Sequence, residues 1–217
     1  MVTPIVILGS GTHAVDILDS LLLCNQIEER YKPLGFLDDR PAQASVHGFP
    51  VLGGLEQAAS FGPEVQFVTA IGSVASYRSK PGLVERLGLP RERFAAVVHP
   101  SACVSQWSQI GHGCVILQQC TLSAGCRLDD QVVLLPGCRV SHDTVVADYN
   151  ILATGVILSG YVQVERNCYL GAGSLVRERL RLGEGCLVGM GSVVVQSVEA
   201  GARVAGNPAR PLKSTAL

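Results

Sequence analysis

The sequence predicts an α/β unit followed by a parallel β-helix. Three observations lead there. A strand, a glycine turn and an amphipathic helix open the chain. An aliphatic residue recurs at every sixth position from Val98 to Val194. Charged residues make up 16% of the chain against 47% hydrophobic ones, which excludes a disordered polypeptide. The 217 residues suffice for one large domain or two small ones, and the pattern divides them into 1–96 and 97–217.

In the first part, Ile5 to Leu8 form a short buried strand, and Val15, Leu18, Leu21 and Leu22 recur at helical spacing. Between them, Gly9-Ser10-Gly11-Thr12-His13-Ala14 reads as a G-x-G-x-x-A turn. Such a turn lets backbone N–H groups approach a phosphate at a helix N-terminus. A second strand, "YKPLGFLDD", ends at Asp38 and Asp39, and a third, "VQFVTAIGS", ends at Gly72. Pro81 is placed to start a helix through "GLVERLG". Ligands of open parallel sheets bind at the carboxyl ends of strands, so Gly11, Thr12, His13, Asp38, Asp39 and Gly72 are the candidate substrate residues. The unit is a Rossmann-like half-domain. Half a dinucleotide fold favours a nucleotide other than NAD, and Asp38 is suited to accept hydrogen bonds from a nucleobase or ribose.

In the second part, seventeen successive sixth positions are all Leu, Ile or Val. Two residues before them lie Cys114, Cys120, Cys126, Cys138, Thr144, Cys168, Ser174, Cys186 and Ser192. Residues two apart on a strand share a face, so both sets point inward. Three hexads complete one triangular coil, which gives about five to six coils. The cysteines are then small apolar fillers, and free thiols fit a reducing compartment. Their spacing of six is not that of a zinc site, and His99, His112 and His142 include no close pair, so no metal is expected.

The residues just before the aliphatics point outward. One such column, Val97, Val115, Val133, Ile151, Tyr169 and Leu187, is apolar. Another, Gln109, Arg127, Val145, Gln163, Arg181 and Glu199, is mostly polar. An outward apolar stripe predicts a buried contact with another subunit, the alternative being cover by the chain's own N-terminal unit.

Against this background "VSHDTVVADYN" stands out, with His142 and Asp143 side by side. A histidine titrates near neutrality and suits proton removal from a nucleophile. A neighbouring carboxylate fixes its tautomer and stabilises the charged ring. The plain alternative is a solvated polar corner.

The formal net charge of −1 gives no footprint for nucleic acid. No apolar run approaches the roughly 18 residues a membrane helix needs. "PIVILG" is too short and lacks the basic flanks of a signal peptide. A cytoplasmic protein without nucleic-acid or membrane partners is expected.

The order of these motifs, with "FLDD" at a strand end, "SHD" within hexapeptide repeats and a closing "VAGNPARPL", resembles the bacterial sugar-nucleotide acetyltransferases. That group includes the sialic acid O-acetyltransferases and the UDP-4-amino-sugar N-acetyltransferases, all hexapeptide-repeat acyltransferases. The resemblance implies a left-handed β-helix, a homotrimer with active sites between subunits, and acetyl-CoA as cosubstrate. It implies that His142 is the general base and Asp143 its acidic partner. It assigns Gly11, Thr12, His13, Asp38, Asp39 and Gly72 to the nucleotide-linked amino sugar, and Ile151, Ala172 and Met190 to acetyl-CoA. "GNPAR" resembles the tail motif near the coenzyme's adenine end. Two departures stand out: relatives commonly carry histidine at the position of Ile151 and asparagine at that of Leu135. Transfer to a sugar hydroxyl, or a non-catalytic trimeric scaffold, remain the rival readings.

Overall fold

A computed structural model of the chain describes residues 2–212. The end of the expected 97–217 unit therefore lies outside the described residues. The chain opens with β1 (Thr3–Leu8), α1 (Thr12–Ile27), β2 (Tyr31–Leu37), β3 (Ser45–Val46), β4 (Phe49–Gly53) and β5 (Gln66–Thr69). The strand order is β3-β4-β2-β1-β5. β1 pairs in parallel with β2 on one side and β5 on the other, so the chain reverses its direction of travel across the sheet at β1. Open parallel sheets take their ligands outside the carboxyl ends at such a reversal. The β3–β4 hairpin extends the sheet beyond the three expected strands. α2 (Lys80–Arg86) carries Pro81 in its first turn, where a missing N–H costs no helix hydrogen bond.

From Val97–Val98 to Val193–Val194 the chain makes seventeen two-residue rungs. They stack in parallel into three sheets, forming a left-handed parallel β-helix. Inward aliphatics from Ile116 onward are buried, whereas Val98, Val104 and Ile110 are half-buried at the open end. Cys114, Cys120, Cys126, Cys138, Cys168 and Cys186 fill the interior as free thiols; Cys24 is buried in α1 and Cys103 is exposed. Burial pushes the Cys114 thiol up to about 12, so it stays protonated and inert. At the corners every sixth residue adopts positive φ, including Asp143 at 57° and Tyr161 at 59°.

The outward apolar column overturns one expectation. It is covered by the N-terminal unit of the same chain, not held for another subunit. Ala14, Ile17, Leu18 and Leu21 of α1 pack on Val97, Val115 and Val133, and Tyr77 packs on Ile151, Tyr169 and Leu187. Val97, Val115 and Ile151 are at most 2% exposed within the single chain. The physical reason is economy of burial: α1 has an apolar stripe of its own, and the adjoining sheet face completes it. Polar links reinforce the docking. Tyr77 Oη donates to the Gly185 carbonyl at 3.1 Å, and Lys80 Nζ to the Gln131 carbonyl at 2.8 Å. No helix among the described residues is long and apolar enough to cross a membrane.

Candidate active site

His142 lies at the corner between the rungs Arg139–Val140 and Val145–Val146. Those rungs belong to the two sheets that the N-terminal unit leaves uncovered. The imidazole is over half exposed, and its Nδ1 lies 2.9 Å from Asp143 Oδ2. A carboxylate only accepts, so Nδ1 carries the proton in this pair and Nε2 is left with the lone pair. The positive φ of Asp143 turns its carboxylate alongside the preceding side chain.

The neighbouring coil frames the ring. Tyr161 stands edge-on to His142, with centroids 5.1 Å apart and planes at 88°. Arg179 lies over the Tyr161 ring at 4.4 Å. A Cβ at Gly160 would fall 2.7 Å from both Cε1 and Nε2 of His142. Gly160 therefore keeps that edge of the imidazole free of a side chain. Sequence reasoning missed Gly160, Tyr161 and Arg179. The signal that reveals them is the full-turn spacing: Gly125, Asp143, Tyr161 and Arg179 stack at one corner, eighteen residues apart.

The expected substrate residues fall into two groups. Asp38 and Asp39 line a cleft of about 600 Å³ with Pro41, Gly53 and Glu56. Asp38 Oδ2 accepts from the Ser10 amide at 2.8 Å and the Ser10 hydroxyl at 2.6 Å, and Oδ1 from the Arg40 amide at 2.9 Å. Burial raises the Asp38 carboxyl, but the Ser10 hydroxyl, the two amides and the Arg40 charge outweigh it and hold the group below its ordinary value. Asp38 thus ties the glycine turn to the end of β2, with Ser10 as a partner that the sequence reading did not name. Asp39 Oδ1 accepts the Leu55 amide at 2.8 Å and anchors the next turn.

His13 and Gly72 belong to the second group, facing Leu117, Leu135 and Ile151 around a small void of about 10 Å³. Gly72 adopts φ 149°, which strains any side chain, and a Cβ there would lie 2.6 Å from Ile151 Cδ1. Gly11 caps α1 at φ −77°, and a Cβ there meets nothing within 4 Å. The fold itself leaves room for a side chain at Gly11. Thr12, the first residue of α1, is exposed beside it.

Ala172 and Met190 come together. They line an apolar trough of about 450 Å³ with Val74, Tyr169, Leu187 and Leu212. Neither backbone N–H has an acceptor among the described residues, whereas Gly171 and Gly189 beside them donate along the ladder. Ile151 does not join them. Its N–H donates to the Cys168 carbonyl at 3.1 Å, and its side chain is buried under Gly72 and Tyr77. The assignment of Ile151 to acetyl-CoA therefore fails on both counts: its N–H is spent within the ladder and its side chain is covered. The tail segment containing "GNPAR" folds as an antiparallel hairpin, Arg203–Gly206 with Ala209–Pro211, beside this trough. Among the described residues no three His, Cys, Asp or Glu side chains gather as a metal site.

Comparison with known proteins follows this geometry. The family model described as the PglD N-terminal domain matches residues 4–80. GDP-perosamine N-acetyltransferase of Escherichia coli O157:H7 is 29% identical over 215 residues, 95% of each chain. The acetyltransferase domain of PglB from Neisseria gonorrhoeae FA1090 is 30% identical, with a TM-score of 0.84, over 97% of this chain and all of that one. PerB from Caulobacter crescentus, solved in complex with CoA and GDP-perosamine, is 26% identical, with a TM-score of 0.84, over 98% of this chain and 99% of that one.

Proposed function

The chain belongs to the family of sugar-nucleotide N-acetyltransferases, and from that premise we propose that it moves the acetyl group of acetyl-CoA to the amino group of a nucleotide-linked amino sugar. The observation that carries this reading is the His142–Asp143 pair, 2.9 Å apart, with its reactive edge kept open by Gly160. The relative from Caulobacter binds CoA and GDP-perosamine, and the PglB domain has been solved with acetyl coenzyme A. These ligands supply the substrate classes.

In the proposed reaction the free amine attacks the thioester carbonyl, a C–N bond forms, and the C–S bond breaks to release the CoA thiolate. Nε2 of His142 takes the proton that nitrogen sheds. Asp143 holds the ring in the required tautomer and stabilises the imidazolium. Ala172 and Met190, whose N–H groups are unengaged among the described residues, line an apolar trough suited to an acyl-pantetheine arm. The cleft at Asp38 and Asp39, with the Gly11–His13 turn, is assigned to the nucleotide sugar.

Within one chain these parts are apart. The N-terminal unit covers one sheet of the prism, and His142 occupies the edge between the other two. A homotrimer, in which His142 of one subunit meets the nucleotide sugar held by the next, brings them together. The division into a sugar-nucleotide unit over 1–96 and an acetyltransferase unit over 97–217 belongs to the same proposal, as does a cytoplasmic location, where free thiols persist and acetyl-CoA is at hand.

Thiol release from acetyl-CoA is the test, measured against UDP-, GDP-, dTDP- and CMP-sugars carrying amino or hydroxyl groups. The reading expects release with an amino sugar, and His142→Ala to lower turnover by roughly 10²–10⁴ with both affinities little changed. Release only with hydroxy sugars points to O-acetylation. No release with any acceptor favours the scaffold, a reading that the apolar Ile151 and Leu135 support.

A further inference from the structure

The corner that carries His142 holds a second conspicuous side chain. Trp107 lies between the rungs Cys103–Val104 and Gln109–Ile110, on the same corner and two coils before His142 and Asp143. It is the sole tryptophan of the chain and, at 70% exposure, the most exposed aromatic among the described residues. Tryptophan is large and apolar, and on average it is mostly buried. This one packs into none of the apolar cores. Its backbone N–H donates to Ser105 Oγ at 3.3 Å, whereas its indole N–H has no acceptor among the described residues.

Between Trp107 and Asp143 the corner is nearly bare, because the intervening coil supplies Ser123, Ala124 and Gly125 there. A Cβ at Gly125 would fall 2.5 Å from Asp143 Oδ1, so that oxygen lies over the glycine. Asp143 Oδ2 takes the contact with His142, and Oδ1 has no partner among the described residues. The result is a notch with an indole at one side, an unpaired carboxylate oxygen at the other and a glycine at its floor. Neighbouring rungs are about 4.8 Å apart, so two spacings, about 9.6 Å, separate the walls at the backbone. An aromatic face opposite a carboxylate oxygen matches the chemistry of a sugar ring. A pyranose chair carries C–H groups on its face, which cover an indole, and hydroxyls at its rim, which donate to a carboxylate. A phosphate is repelled by the carboxylate, and an acyl chain leaves Oδ1 unpaired.

We propose that Trp107 and Asp143 Oδ1 hold the sugar ring of the acceptor, Trp107 by stacking on its C–H face and Oδ1 by accepting one of its hydroxyls. The inference rests on the acetyltransferase reading above, since the ring carries its amine to Nε2 of His142. Trp107 is then a specificity-determining residue. It selects a ring with an unobstructed C–H face, and it stands away from the reacting atoms.

Fluorescence of the full chain tests it, because all tryptophan emission comes from this one residue. The probes are the UDP-, GDP-, dTDP- and CMP-sugars of the thiol-release assay, each compared with its sugar-free nucleotide. The nucleotide sugar that supports thiol release should change the emission as it saturates the protein, and its sugar-free nucleotide should not. Trp107→Ala should raise the KM for that sugar roughly 10-fold, with the KM for acetyl-CoA unchanged and kcat within about twofold. Trp107→Phe, which keeps an aromatic face, should recover most of the loss. Emission unmoved by the sugar, or an unchanged KM in Trp107→Ala, overturns the inference, while continued thiol release leaves the acetyltransferase reading in place. An emission change with the sugar-free nucleotide alone assigns the indole to the nucleobase and overturns it too. Equal rises in both KM values, or loss of assembly on sedimentation, make the indole a structural contact and likewise overturn it. No thiol release from the wild-type chain with any acceptor removes both readings.

Discussion

The edge of His142 proposed to take the proton depends on a residue with no functional group. A side chain at position 160 would press on Nε2 and Cε1, and Gly160 carries no positive-φ requirement that alanine would violate. Gly160→Ala should therefore fold normally and lower kcat by roughly 10²-fold, the scale of a 1 Å misplacement at a reacting centre. Unchanged turnover in steady-state assays would show that the ring is approached from its other side. The His-Asp pair was legible because two polar residues interrupt an apolar repeat. Its frame was not, since Gly160, Tyr161 and Arg179 become neighbours only once the chain is stacked by full coils. The acids at 38 and 39 were legible as a strand end, but their engagement with Ser10, Arg40 and Leu55 is a property of the fold.

At the scale of elements, the period of six announced the β-helix because each inward position must be apolar in so narrow a prism. The same logic predicted cover for the column from Val97 to Leu187 but named another subunit for it, wrongly, because an apolar face does not identify what covers it. With α1 as that cover, Val115→Glu places an unpaired charge under the chain's own helix. The N-terminal unit should loosen, so that limited proteolysis cuts between residues 87 and 96, while sedimentation still reports the parent assembly. Loss of assembly with the unit protected would restore the subunit-contact reading. The docking also buries Lys80, whose ammonium is pushed down to about 8 from 10.5 by desolvation. A lowered folded-state value means that the unfolded chain binds more protons between these two values. Stability should then rise with pH through that window and level off above it. Urea titrations should show a gain of roughly 2 kcal/mol between about pH 7.5 and 9.5, relative to Lys80→Met, which lacks the titrating group. Parallel profiles for the two proteins would contradict the buried-cation account.

At the scale of the whole molecule, the separation of His142 from the cleft at Asp38 and Asp39 is the feature that leads the proposed reaction to call on other subunits. It follows from topology: the N-terminal unit occupies one sheet of a triangular prism, and the corner that carries His142 joins the other two. The direct measurement is complementation. His142→Ala and Gly11→Val are each expected to be nearly inactive, the first for want of a base and the second because a Cβ branch fends phosphate off the glycine turn. Unfolded together and refolded as mixed trimers at equal amounts, they should regain thiol release from acetyl-CoA at about a quarter of the wild-type sites. That is the fraction in which an intact His142 meets an intact turn on its neighbour. No recovery in trimers shown by sedimentation to be mixed would place both parts of the site in one chain and contradict the account.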